Sequence, residues 1–132
     1  MLHSPKIGEP FVLHTDASRV AVGATLGQFD QNGVEQPLAF ASHKLTGPQC
    51  AWSTIEREAY VIICALQKFR DTVFGSKILV MCDNNPLLYI RDCAPKSAKL
   101  LRWSLVLQEF NLEIRYKKGS ENVAAYYLSR NV

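Results

Sequence analysis

Residues 11–28, FVLHTDASRVAVGATLGQ, constrain the fold more than any other stretch of this chain. Phe11, Leu13 and Thr15 alternate with Val12, His14 and Asp16, the period-2 pattern of a pleated strand. Asp16 closes the apolar run, and the small residues Ala17 and Ser18 follow it. Val20 to Leu26 (VAVGATL) then reads as a second strand, so the pair forms a hairpin around Ser18 and Arg19. Gly23 and Ala24 in mid-strand permit close approach of a neighbouring element. A carboxylate at the end of a hydrophobic strand is held at the rim of a core by rigid backbone, which suits a metal ligand. The competing reading of Asp16 is a turn former, since Asp often ends strands.

A chain of 132 residues predicts one domain, 1–132, with an irregular lead-in over 1–10. That length buries about two-thirds of the unfolded surface. The apolar and charged fractions, 48% and 20%, exclude a disordered or fibrous chain. A net charge of +3 permits a polyanionic partner without specifying one. Cys50, Cys64, Cys82 and Cys93 contain no CxxC pair, and Cys64 and Cys82 lie in apolar runs. Reduced thiols and an intracellular location, cytoplasmic or nuclear, are the expectation. No signal peptide opens the chain and no apolar run approaches the roughly 18 residues of a membrane span, so no membrane partner is expected. The near-immediate entry into a strand suggests a module of a longer chain.

Beyond the first hairpin, Phe29 to Gln36 carries Asn32-Gly33, a strong hairpin signal, and Pro37 to Ser42 fits the third strand. His43 to Ala51 reads as a loop. A long helix then begins with Ser53 or Thr54 as N-cap, its apolar stripe formed by Ile55, Ala59, Ile62, Leu66 and Phe69. At 3.6 residues per turn Glu58 lies about 60° from the centre of that stripe and Glu56 about 100°. Glu58 therefore sits where the apolar and polar faces meet, and Glu56 points further toward solvent. Ile78 to Cys82 (ILVMC) is an unbroken apolar run, the signature of a strand covered on both faces, and it ends at Asp83. Asn84-Asn85-Pro86 opens a short helix through Ile90. A second long helix spans about Ser97 to Phe110, with Leu101, Leu105 and Trp103 expected to face inward. Leu112 to Tyr116 alternates as a last strand, Lys117 to Ser120 is a basic turn, and Asn122 to Ser129 reads as a closing helix. The fold class is α/β: three antiparallel strands, then parallel crossovers, flanked by helices. Crossover helices place ligand sites at carboxyl ends of strands, where Asp16 and Asp83 both lie.

Seven stretches, in order, resemble the RNase H domain of reverse transcriptases of the Ty3/gypsy class of LTR retrotransposons. They are HTDAS (14–18), GATLGQ (23–28), PLAFASHKLT (37–46), WSTIEREAYVIICALQKF (52–69), VMCDNNPLLYI (80–90), LLRWSLVLQEFNLEIRY (100–116) and GSENVAAYYLSR (119–130). The resemblance covers nearly the whole chain and implies an RNase H-like fold with a five-stranded mixed sheet. It also implies an activity: four carboxylates hold two divalent metals, Mg²⁺ or Mn²⁺, that hydrolyse the RNA strand of an RNA/DNA hybrid. The first three acids map to Asp16, Glu58 and Asp83. The fourth lies in the closing signature, usually NVxADxLSR, where this chain has Tyr126.

Tyrosine is a neutral phenol near pH 7, a poor ligand for a hard dication, and much larger than Asp. Mg²⁺ relies on few carboxylates, so loss of one of four weakens the pair of sites severely. Many relatives also carry a histidine in the loop before the closing helix, and Tyr116 to Gly119 contains none. His14 shares a strand face with Asp16 and is expected to be structural rather than a base. Lost or strongly reduced catalysis is therefore expected. The alternatives are an active enzyme with a substitute ligand such as Glu121, or a non-catalytic scaffold, including a host-domesticated copy. Such a scaffold would bind RNA/DNA hybrid, double-stranded nucleic acid or protein. Lys96, Lys99 and Arg102 at helical spacing, with Lys117 and Lys118, are candidates for tracking phosphates. Trp52 and Trp103 are expected to pack rather than stack on bases.

Overall fold

The computed structural model describes residues 4–82 and 85–116. Asp83, Lys117, Lys118, Glu121, Tyr126 and the expected closing helix lie outside the described residues. The strands are β1 (Phe11–Ala17), β2 (Ala21–Phe29), β3 (Glu35–Lys44), β4 (Lys77–Cys82) and β5 (Asn111–Tyr116). Between them run α1 (Gly47–Cys50), α2 (Thr54–Lys68), α3 (Arg70–Val73), α4 (Pro86–Cys93) and α5 (Ala98–Leu107), with a 3₁₀ turn at Ala94–Lys96. The sheet order is β3-β2-β1-β4-β5, antiparallel in the first two pairings and parallel in the last two. That is the mixed sheet expected from the sequence.

Side chains fix both hairpin turns. At the first, Ser18 Oγ accepts from the N–H groups of Val20 and Ala21, and the Ser18 N–H donates to the Ala21 carbonyl at 2.8 Å. At the second, Asp30 Oδ1 accepts from the N–H groups of Asn32 and Val34, and Gly33 takes φ +79°, a conformation that costs glycine little. The Val34 hydrogen bond leads the contacts that hold the Asp30 carboxyl below its usual range. Strand β3 is longer than expected. Its register on β2 slips between Leu26 and Gly27, which pair with Ala39 and Pro37. Leu38 is the extra residue of this bulge, and it is buried in the core.

Helix α2 begins where expected, with the Ser53 hydroxyl accepting from the Glu56 N–H. Its Val61, Ile62, Ala65 and Leu66 pack on Leu13, Val22, Ala24, Leu26 and Val80 of the sheet. A second flank, Ala59 and Ile63, packs with Ile90, Ala94, Leu100 and Trp103 of the later helices. The loop expected over 43–51 contains α1, closed by a capping box in which Thr46 and Gln49 exchange side-chain and backbone bonds. Strand β4 alternates more than its apolar run suggests: Ile78, Val80 and Cys82 are buried, while Leu79 and Met81 are half-buried.

One expectation about packing is overturned. Leu101 and Leu105 of α5 are 50% and 55% exposed, and Leu100 and Trp103 take the inward positions. The helix also ends at Leu107, earlier than expected. Its interior face is set by contact with Ile90 and Ala94, which the α5 sequence does not encode.

Candidate functional site

Asp16 is the penultimate residue of β1, half-buried, and pairs with Gly23 of β2. The β1–β4 register runs parallel from Phe11↔Ile78 to His14↔Met81. Asp16 thus lies two residues beyond the last paired residue of β1, and Asp83 follows Met81 by two in the sequence. The chain leaves β3 at this same end, because Lys44 pairs with Ala21 and the Leu45 N–H bonds the Val20 carbonyl. Helix α2 starts ten residues after Lys44 and packs back along β1 and β2. Glu58, one turn before Ile62, is half-buried in its N-terminal part. Asp16 and Glu58 are therefore brought to one end of the sheet on two elements packed together. Among the described residues no three His, Cys, Asp or Glu side chains form a metal-holding group, and the third expected acid is not among them.

His14, two residues before Asp16, is buried, and its Nε2 lies 2.6 Å from Glu35 Oε1. The partner is on β3, so the Glu35 side chain crosses β2. It passes over Gly27, where a Cβ would stand 3.2 Å from Glu35 Cγ. This pairing gives His14 a packing role across three strands, and sequence spacing alone does not reveal it.

Glu56 departs from the solvent-facing position expected of it. Its carboxylate accepts from Lys99 Nζ at 2.5 Å and from the Tyr89 hydroxyl at 3.2 Å, joining α2 to α4 and α5. Burial and then the Glu56 charge push the Tyr89 phenol up, so it remains a donor. The Lys99 ammonium also lies 4.0 Å from the Trp52 ring centroid and 5.3 Å from that of Trp103. Trp52 meets Tyr60 and Trp103 edge-on, so both tryptophans are packing residues in this arrangement. Of the expected phosphate-tracking residues, Lys99 is thus committed to an internal ion pair. Lys96 and Arg102 are exposed. Glu113 of β5 is flanked by Arg115 at 2.7 Å and Lys77 at 3.4 Å, and the Arg115 hydrogen bond leads the lowering of its pKa.

The donor set at the sheet end consists of carboxylate oxygens, which suit hard cations such as Mg²⁺ and Mn²⁺ better than zinc. None of the four cysteines forms a disulfide. No helix among the described residues is long and apolar enough to cross a membrane.

Comparison with known proteins agrees with this geometry. The family described as the RNase H-like domain found in reverse transcriptase matches residues 6–110. The chain is 40% identical over 131 residues to the retrovirus-related Pol polyprotein from transposon opus of Drosophila melanogaster. It is 38% identical over 130 residues to that from transposon 297, and 34% over 131 to that from transposon gypsy, both of the same organism. Each match covers 98% of this chain but only 12% or 13% of the polyprotein. Among solved structures, foamy viral protease-reverse transcriptase in complex with dsDNA is similar over 89% of this chain and 25% of its own. Its TM-score is 0.74 at 21% identity. A foamy viral protease-reverse transcriptase in complex with RNA/DNA hybrid gives 0.62 at 22%, over 84% of this chain and 15% of its own. RNase H1 from the archaeon Halobacterium salinarum gives 0.61 at 17%, over 90% of this chain and 93% of its own. The strand order and these similarities together show that the chain belongs to the RNase H-like domain family of reverse transcriptases, in the lineage of gypsy-type retroelements.

Proposed function

We propose that this is a retroelement RNase H-like domain whose hydrolysis of RNA in RNA/DNA hybrids is lost or strongly reduced. The observation that carries the proposal is the mismatch between scaffold and fourth ligand. Support comes from Asp16 near the end of β1, Glu58 early in α2 and Asp83 directly after β4 in the sequence, with Tyr126 where the family resemblance implies an acid. Asp16, Glu58 and Asp83 are the residues that would hold Mg²⁺ or Mn²⁺. Bound there, a pair of ions about 4 Å apart would activate water and stabilise the leaving oxygen. Three carboxylates suffice for one ion and fall short of two. Without the fourth acid the chain's own contribution reduces to holding one cation at the strand ends.

A host-retained, non-catalytic copy is consistent with that loss. Residual affinity for nucleic acid is supported by the exposed cations Lys96 and Arg102, and by solved relatives of this fold in complex with dsDNA and RNA/DNA hybrid. The test is cleavage of an RNA/DNA hybrid in Mg²⁺ by the unmodified domain beside an Asp16→Asn control. Little or no cleavage is expected, with partial recovery in Tyr126→Asp. Robust cleavage that disappears in Asp16→Asn would sink the proposal and favour a substitute ligand such as Glu121.

A further inference from the structure

Beside the Asp16 end of the sheet, a groove of about 180 Å³ opens between α2 and the β2–β3 ladder, where Gly23 pairs with Asp16. Val61, Cys64, Ala65 and Lys68 follow one another at i, i+3, i+4 and i+7 and form its helical wall. The opposite wall is three register pairs: Val22 with His43, Gly23 with Ser42, and Ala24 with Ala41. Val22, Ala24, Val61 and Ala65 are buried and make an apolar floor, while His43 and Lys68 are exposed along the rim. The slot exists because α2 is centred on β1 and β2, and the residues facing β3 are too small to fill the space beside it.

Polarity and size restrict what can enter. The rim offers the His43 ring and the Lys68 ammonium, and the lining contains no carboxylate. Among the described residues no acid pairs with Lys68. Tyr60, whose ring lies edge-on to His43 with centroids 6.2 Å apart, and Cys64 share a hydrogen bond. Burial is the main cause that pushes both the Tyr60 phenol and the Cys64 thiol up. A cation with no acid partner among the described residues, beside an apolar floor, complements an anion carried on an apolar body. Sites for drug-sized molecules run from about 300 to 1,000 Å³, so this one admits only one or two fused rings and excludes a nucleotide.

We propose that this groove is a binding site for a small aromatic carboxylate, its ring between α2 and the Ala24–Ala41 pair and its carboxylate at Lys68. The site is independent of metal binding or cleavage at Asp16, Glu58 and Asp83.

The probe is 2-naphthoate, titrated into the full chain while the backbone amides of Gly23, Ala24, Ala41 and Ala65 are followed by NMR. Those amides should shift together and saturate with a Kd in the roughly millimolar range expected of so small a ligand. Alkylation of Cys64 should slow in step with saturation. Lys68→Met should weaken binding about tenfold, as loss of one charge-assisted contact predicts. Ala41→Phe, which fills the slot, should abolish it, and the neutral 2-naphthylmethanol should bind more weakly than the acid. Shifts confined to other surfaces, equal binding of acid and alcohol, or affinity unchanged in Lys68→Met would each overturn the proposal. Lys68 is exposed, so its variant keeps the test decisive even if Ala41→Phe disturbs the edge strand.

Discussion

Gly27 shows how one missing side chain supports several others. A Cβ built there would lie 2.9 Å from the Gln36 carbonyl oxygen and 3.2 Å from Glu35 Cγ. The first neighbour is backbone held in the β2–β3 ladder, so it yields only by disturbing the bulge that buries Leu38. The second is the side chain that reaches across β2 to His14. Gly27→Ala should therefore destabilise the domain by about 1–3 kcal/mol, the usual range for overpacking. It should also loosen the Glu35–His14 pair. The urea midpoint measures the first effect and the His14 ring resonances the second. A midpoint equal to that of the parent would mean that the ladder absorbs the extra carbon without strain.

Among the elements, α5 separates what a pattern can show from what packing decides. Apolar residues occupy positions 100, 101, 103, 105, 106 and 107, so more than one side of the helix can serve as an interior face. The structure selects Leu100 and Trp103, which meet Ile90, Ala94 and the Ala59–Ile63 flank of α2. Leu100→Ala should cost about 2–5 kcal/mol, as a cavity in a filled cluster does. Leu105→Ala, at a position 55% exposed, should stay within about 0.5 kcal/mol. Chemical denaturation of the two variants side by side checks the rotation of the helix, and equal losses would refute it. Glu56 follows the same logic. Its angular position pointed to solvent only while α2 was considered alone, and the α4–α5 pair then covered that flank and supplied Lys99 and Tyr89 as partners.

For the whole molecule, charge is the property a nucleic acid would meet. The net charge of +3 is small, Lys99 is held by Glu56, and Arg115 and Lys77 are shared with Glu113. Lys96 and Arg102 are among the exposed cations left outside these pairs. Affinity for an RNA/DNA hybrid should accordingly be weak, indifferent to base sequence and lost as salt rises. Its log–log salt slope should be close to −0.9 per phosphate contacted, giving about −2 to −4 for two to four contacts. Titrations at several salt concentrations measure this slope. Tight binding that survives raised salt would point to base or stacking contacts instead. Lys96→Gln combined with Arg102→Gln should flatten the slope by about 2, whereas Lys99→Gln should change stability more than salt dependence.

The sequence by itself determined the order and type of the major elements, because strand alternation, turn residues and helix caps act over a few neighbouring residues. The Ser18 turn, the Asn32-Gly33 turn and the Ser53 cap were all legible for that reason. It also determined the family, through signatures spread over nearly the full length. Tertiary structure decided which side of α5 faces inward, where Glu56 and Lys99 spend their charges, and that Glu35 reaches His14 across a glycine. It also left the groove beside β3 open. Most of these depend on contacts between elements distant in sequence, as with His14 and Glu35, 21 residues apart, or Glu56 and Lys99, 43 apart. Local periodicity carries no information about such distances, since it fixes how a side chain leaves its own backbone and not what another element brings to meet it.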